Sequence, residues 1–178
     1  MRRITPVVML VAILLMAFAS ASSAQESKPI NLALFDPVQI FNRDYAIEGV
    51  RLNLIYGNNA GLKGVDIGIA NWITGDAVGL QWGPVCFTKG DFTGWQHSWV
   101  AITDGVMQGL QTAEIVSING SGKGVQLAPV NVSEDFSGLQ IALVNYAVKY
   151  NGLQIGIINI IKEGGMLPVF PIFNFSFD

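Results

Sequence analysis

The sequence predicts an all-β protein, a β-solenoid (β-roll) of about eight coils of 14–15 residues, on three observations. A glycine recurs at a near-fixed period: Gly49, Gly64, Gly79, Gly94, Gly109, Gly124, Gly138 and Gly152 are separated by five intervals of 15 residues and then two of 14. With each of these glycines taken as position one, the following positions repeat by column, which is the signature of a stacked-repeat architecture. The second half of each unit is rich in Gly, Asp, Asn, Lys and Thr, as in "ITGD", "TKGD" and "NGSGKG", and such short units with a turn cluster leave no room for a helix.

The elements follow in chain order. Arg2 and Arg3 precede an apolar run from Val7 to Phe18 and the small-residue stretch Ala19 to Ala24. This is the order of a secretory signal peptide, so residues 1–24 are expected to be removed, leaving Gln25 as the mature N-terminus, with cleavage after Ala21 to leave Ser22 as the alternative. The run of about twelve apolar residues is short of what crosses a bilayer as a helix, and no later stretch is long enough either. Residues 25–48, with "FDPVQIFNRD", are expected to form an N-terminal cap on the repeats. An open end of a stack needs covering because it presents unpaired backbone groups.

Residues 49–165 hold the eight units. Position two is apolar in every copy, from Val50 to Leu153, and position three is Gln from Gln81 to Gln154, with Arg51 and Asp66 in the first two copies. Position five is small, position seven is Ile, Ala or Val, and Asn stands at position eight in Asn71, Asn131, Asn145 and Asn159. Constraint on alternating positions reads as a strand of six to seven residues. A bulky residue two places before the next glycine, as in Leu62, Phe92, Met107, Phe136 and Tyr150, suggests a second apolar segment closing a narrow core. Residues 166–178, with Pro168 and Pro171, are expected to cap the other end as a terminal strand.

A small antiparallel up-and-down β-barrel, each unit one strand and turn, is the alternative. The side-chain pattern favours the solenoid. In-register stacking brings identical positions together, so that Gln and Asn form amide ladders. A barrel in the outer membrane would in addition place His97, Thr112 and Glu114 on its lipid face, where charge is costly.

The "GLQIGxxN" units, the leader, "FDPVQIFNRD" and the exit "IINIIKEGGMLPVFPIFNFSF" together resemble a family of exported bacterial surface-repeat-containing proteins over residues 30–178. The resemblance implies export and surface exposure. It brings no activity, ligand or catalytic residue with it. The copies "GWQHSWVAI" and "GLQTAEIVS" depart from the pattern, lacking the apolar position four and the Asn.

Composition excludes some function classes. Without Arg2 and Arg3 the chain carries eight basic against 13 acidic groups, and its basic residues are scattered singly, so it has no nucleic-acid footprint. Cys86 is the single cysteine, so no intrachain disulfide forms and packing alone must hold an exported fold. At position eight it reads as a small buried hydrophobe. His97, the single histidine, lies between Trp95 and Trp99 with no metal-ligating or nucleophilic neighbours in sequence. The stretch "NGSGKG" fails the phosphate-loop pattern at both ends. Asp76, Asp91 and Asp104 fall in successive turns and read as solvated acids rather than as a calcium edge. No cofactor, metal or catalytic constellation is therefore expected.

Positions four and six carry large apolar residues in several copies, among them Leu52, Leu54, Ile67, Ile69, Trp82 and Trp99. If odd positions fill the core, these form an exposed apolar stripe, the mark of a partner or self-association surface; if even positions fill it, the stripe disappears. Both faces of the strand are apolar, so the sequence leaves this open. The expected function is a non-catalytic exported repeat protein of the cell surface, periplasm or outer membrane. It would bind a protein, an envelope component or another copy of itself, with Trp82, Trp95 and Trp99 as the candidate interaction surface. A small outer-membrane barrel and an enzyme are the alternatives.

Overall fold

A computed structural model describes residues 26–177; the leader lies outside them. The strands are β1 (Ser27–Phe35), β2 (Val38–Gln39), β3 (Ala46–Asn59), β4 (Gly61–Ile73), β5 (Ala77–Trp82), β6 (Val85–Thr88), β7 (Phe92–His97) and β8 (Val100–Thr103). They continue as β9 (Met107–Thr112), β10 (Ile115–Leu127), β11 (Val130–Glu163) and β12 (Val169–Ser176), with no helix among the described residues. Copies of the unit stack in parallel and in register: Gly49 lies opposite Gly64, Gly64 opposite Gly79, Gly79 opposite Gly94, and so on to Gly124 opposite Gly138. This is the solenoid. The barrel alternative required antiparallel neighbours and is set aside, and with it the outer-membrane barrel reading.

The repeating glycine is a requirement of the stack. Gly79 has φ 128° and Gly94 φ 138°, in a region that side-chain-bearing residues rarely adopt. A Cβ on either would also sit 2.0 Å from the glycine carbonyl oxygen of the preceding coil.

Each coil folds back at two corners. Positions three and five point inward, the chain bends after position five, and the alternation then shifts, so that position seven faces out and positions eight and ten face in. Position seven, read from sequence as sharing the side of positions three and five, lies outside: Ile55 and Ile115 are exposed. The bend is where Pro84 and Pro129 sit. Neither costs a ladder donor there, and their carbonyls accept N–H groups from the next coil, Pro84 from Trp99 and Val100 and Pro129 from Leu143 and Val144.

The interior has two halves. Ile47, Leu62, Ile73, Phe92, Met107, Ile118, Phe136 and Ile161 form one buried apolar column, each large side chain contributing roughly 1.5–3 kcal/mol by leaving water. Beside it runs a column of fully buried amides at position three. Gln96 Nε2 donates to Gln81 Oε1 at 2.7 Å, Gln111 to Gln96 at 2.7 Å, Gln126 to Gln111 at 3.1 Å, and Gln154 to Gln140 at 2.8 Å; Gln140 donates likewise to Gln126. Every donor points toward the N-terminal coil. Thr88, Thr103 and Ser133 at position ten donate their hydroxyls to the same carbonyl oxygens. An unpaired buried amide costs about 1–3 kcal/mol and a paired one is net favourable by about 1 kcal/mol, so the pairing decides that a polar column can stand inside.

The Asn column at position eight runs the other way. Asn131 Nδ2 donates forward to Asn145 Oδ1 at 3.0 Å, and Asn145 to Asn159 at 2.8 Å. Two of the copies that lack this Asn, the fourth and fifth, place Ala101 and Val116 inside instead, where they pack with Ala128 and Ala113. Their irregularity therefore falls on the interior as well as the surface.

The ends differ. β1 is a further half-coil, paired parallel with β3 so that Asn31 lies opposite Arg51 and Leu32 opposite Leu52. β12 lies antiparallel on the last coil, with Phe173 opposite Ile155. Its outer edge carries Pro171 and Ile172, the latter at φ 72°.

Candidate interaction face

Because positions three and five turn in, positions four and six turn out, and the apolar stripe is exposed: Leu54 is 65%, Ile157 65% and Trp99 66% accessible. The small residue at position five makes the floor of a groove whose walls are positions four and six. Its first section, of about 700 Å³, is lined by Leu52, Leu54, Ile67, Ile69, Trp82 and Pro84, with Leu32 of β1 closing the N-terminal end. A second hollow of about 250 Å³ follows, between Trp82, Pro84, His97 and Trp99 over Gly83 and Ser98. At Gly83 the absence of a side chain is a steric condition, since a Cβ there would lie 1.7 Å from the carbonyl oxygen of Gly68.

The three tryptophans singled out from sequence gather around one histidine. The Trp82 ring meets His97 edge-on at 5.8 Å and the Trp95 ring lies 6.0 Å from it, while Trp99 stands across the hollow. Thr112, from the next coil, ties them together. Trp95 Nε1 donates to its Oγ1 at 2.9 Å, and the same oxygen lies 2.8 Å from His97 Nδ1. The Thr112 hydroxyl also lies 3.4 Å from the Gln96 carbonyl oxygen, so one oxygen links the Trp95 indole, the His97 ring and the coil below. A hydroxyl beside an imidazole resembles half of a nucleophile–base pair, but no carboxylate is hydrogen-bonded to His97 to orient it.

The other candidates are structural. The Cys86 thiol is buried among Asn71 and Gly83, with Asn71 Nδ2 3.7 Å from Sγ, and burial pushes its pKa up to about 12. It is therefore a protonated, unreactive filler. Asp76 Oδ1 accepts the Asp91 N–H at 2.9 Å and Asp91 Oδ1 the Val106 N–H at 2.7 Å, while Asp104 accepts from the Asn119 amide at 2.7 Å. The turn acids are spent on holding one turn to the next. Among the described residues no three His, Cys, Asp or Glu side chains converge as a metal site.

The chain matches no family model, no curated protein and no solved structure.

Reading by sequence alone missed two contributors to this face. Thr112 stood out only as a polar residue after His97 in an otherwise apolar column, and nothing in the sequence ties it to Trp95. Leu32 gave one: "PINLAL" from Pro29 aligns with "GVRLNL" from Gly49, an incomplete copy whose proline obscures the repeat.

Proposed function

We propose that the protein is a non-catalytic, exported repeat module, acting at the cell surface, in the periplasm or at the outer membrane, that binds a protein or envelope component through the groove between positions four and six. The observation that carries this reading is the groove itself. A contiguous set of large apolar side chains stands in solvent on a rigid stacked scaffold, and exposed apolar surface on this scale marks interaction sites. Trp82, Trp95 and Trp99 are its anchors, since aromatic residues in a hollow carry most of the energy of an interface. Repetition supports binding over catalysis: equivalent weak contacts add to avidity, whereas a reaction needs one asymmetric site with differently tuned groups. The leader and the resemblance of the repeats to exported surface-repeat proteins support export.

The test is retention by an envelope fraction. Wild-type protein is expected to be held, and the Trp82→Ser, Trp99→Ser double variant to wash off while keeping its thermal unfolding midpoint. Equal retention of both would remove the groove from the function.

A further inference from the structure

We propose that the groove face is self-complementary and pairs two copies of this chain antiparallel, about a two-fold axis that lies along the strands between the fourth and fifth coils. The proposal rests on the binding reading above and names the occupant as a second copy.

The argument starts from the order of residues along the walls. A two-fold axis in that place reverses the stack and keeps the strand coordinate, so the first coil of one copy lies over the eighth of the other and like positions meet. At position six this sets Leu54 against Ile157, Ile69 against Leu143 and Pro84 against Pro129. Aliphatic meets aliphatic, and the two corner prolines meet each other. At position four, Leu52 meets Ile155 and Ile67 meets Ile141, all exposed in the single chain. The ends agree as well, for Leu32 of β1 and Phe173 of β12 extend the same column by one layer each.

The centre supplies the charge complementarity. Glu114 is the one charged residue in the two walls of the eight coils, and its exposed side chain makes no ion pair or hydrogen bond among the described residues. Antiparallel pairing sets it against the exposed Trp99, whose indole N–H has no partner among the described residues, and diagonal to the His97 ring, on each side of the axis. A parallel pairing would instead hold each coil opposite itself. Glu114 would then face Thr112, whose hydroxyl Trp95 and His97 already engage, and the two Glu114 side chains would stand at one level. Like charges brought together penalise that arrangement.

The size is sufficient. The stack of β1, eight coils and β12 is ~45 Å long at ~4.8 Å per layer, and positions two to seven follow ~20 Å of chain around the bend, so the two walls together offer each copy at most on the order of 800 Å², the size of a standard stable interface.

The experiment uses the purified protein in a Cys86→Ser background. Light scattering is expected to give the dimer mass. Of the single-cysteine variants Leu54→Cys and Ile157→Cys, neither is expected to cross-link alone under mild oxidation, and the equimolar mixture is expected to cross-link. Glu114→Arg should weaken association about tenfold or more, and adding His97→Glu should restore it by reversing the pair. A monomer at high micromolar concentration overturns the proposal, as does cross-linking of either variant alone as readily as the mixture, or a dimer that Glu114→Arg leaves unchanged. A monomer still held by the envelope fraction overturns the dimer alone. A monomer that is not held removes the binding reading too.

Discussion

Arg51 and Asp66 meet in a two-point ion pair that no solvent reaches: Nε donates to Oδ1 at 2.8 Å and Nη2 to Oδ2 at 2.6 Å, with both side chains 0% exposed. They occupy position three, where the six later coils carry Gln, and they close the amide ladder at its donor end. Gln81 Nε2 donates to Asp66 Oδ2 at 3.1 Å, and the spare Arg51 Nη1 is taken up by Asn59 Oδ1 at 3.2 Å and the Trp72 carbonyl at 3.0 Å. A carboxylate at this end suits the ladder's dipole, whose N–H groups all point toward it, as anions suit the N-terminus of a helix.

Breaking that pair on one side should be far worse than replacing both sides. Asp66→Asn leaves a buried guanidinium without its counter-charge, and a loss of about 3–5 kcal/mol is expected in urea unfolding. The double variant Arg51→Gln, Asp66→Gln extends the ladder by two amides and should recover most of that loss. Equal destabilisation by the single and double variants would refute the ladder account.

Gly94→Ala should cost well over ~1 kcal/mol, because alanine is strained at positive φ and its Cβ enters the backbone of the coil below. Val78→Ala, one residue from Gly79 but exposed, should stay within about 0.5 kcal/mol. Comparable losses from the two would mean that the glycine column does not set the stacking distance.

Cys86 should make stability fall at alkaline pH. Its thiol titrates higher in the folded than in the unfolded chain, so the neutral form favours the fold and the thiolate opposes it. The contribution is complete below the unfolded value of roughly 8.5 and is lost as pH rises toward about 12, at about 1.4 kcal/mol per pH unit. Burial also pushes the Tyr150 hydroxyl up, so the quantity to measure is the difference from Cys86→Ala, whose residue matches Ala101 one coil on. A thiol in the folded protein that alkylates at pH 8 as fast as a free peptide thiol would contradict the burial.

The stacking was legible because it depends on columns, which the sequence displays directly: Gly79, Gly94 and Gly109 recur for one backbone reason, and Gln81, Gln96 and Gln111 for one hydrogen-bonding reason. The buried face was not legible. Ile67 and Ile69 are as apolar as any core residue, and it is the amides and not the aliphatics that fill that part of the interior. The bend after position five also shifts the alternation, so a period of two carried through from Gln81 mislabels Val85. Arg51 and Asp66 stood in view as two opposite charges in adjacent copies of a neutral column. That is a signal for a buried pair once the column is known to face inward.

Parallel stacking contains no stop of its own, because each finished coil offers the next one an identical template. In this chain the template is withdrawn at the last step. β12 runs backwards on the eighth coil, Pro171 has no N–H to offer, and the register of the pairing breaks beside Ile172, which has φ 72°. The length of the rod is thereby written into the polypeptide and does not depend on protein concentration. Growth of a β-stack, which in fibrils is open-ended, is here a counted quantity.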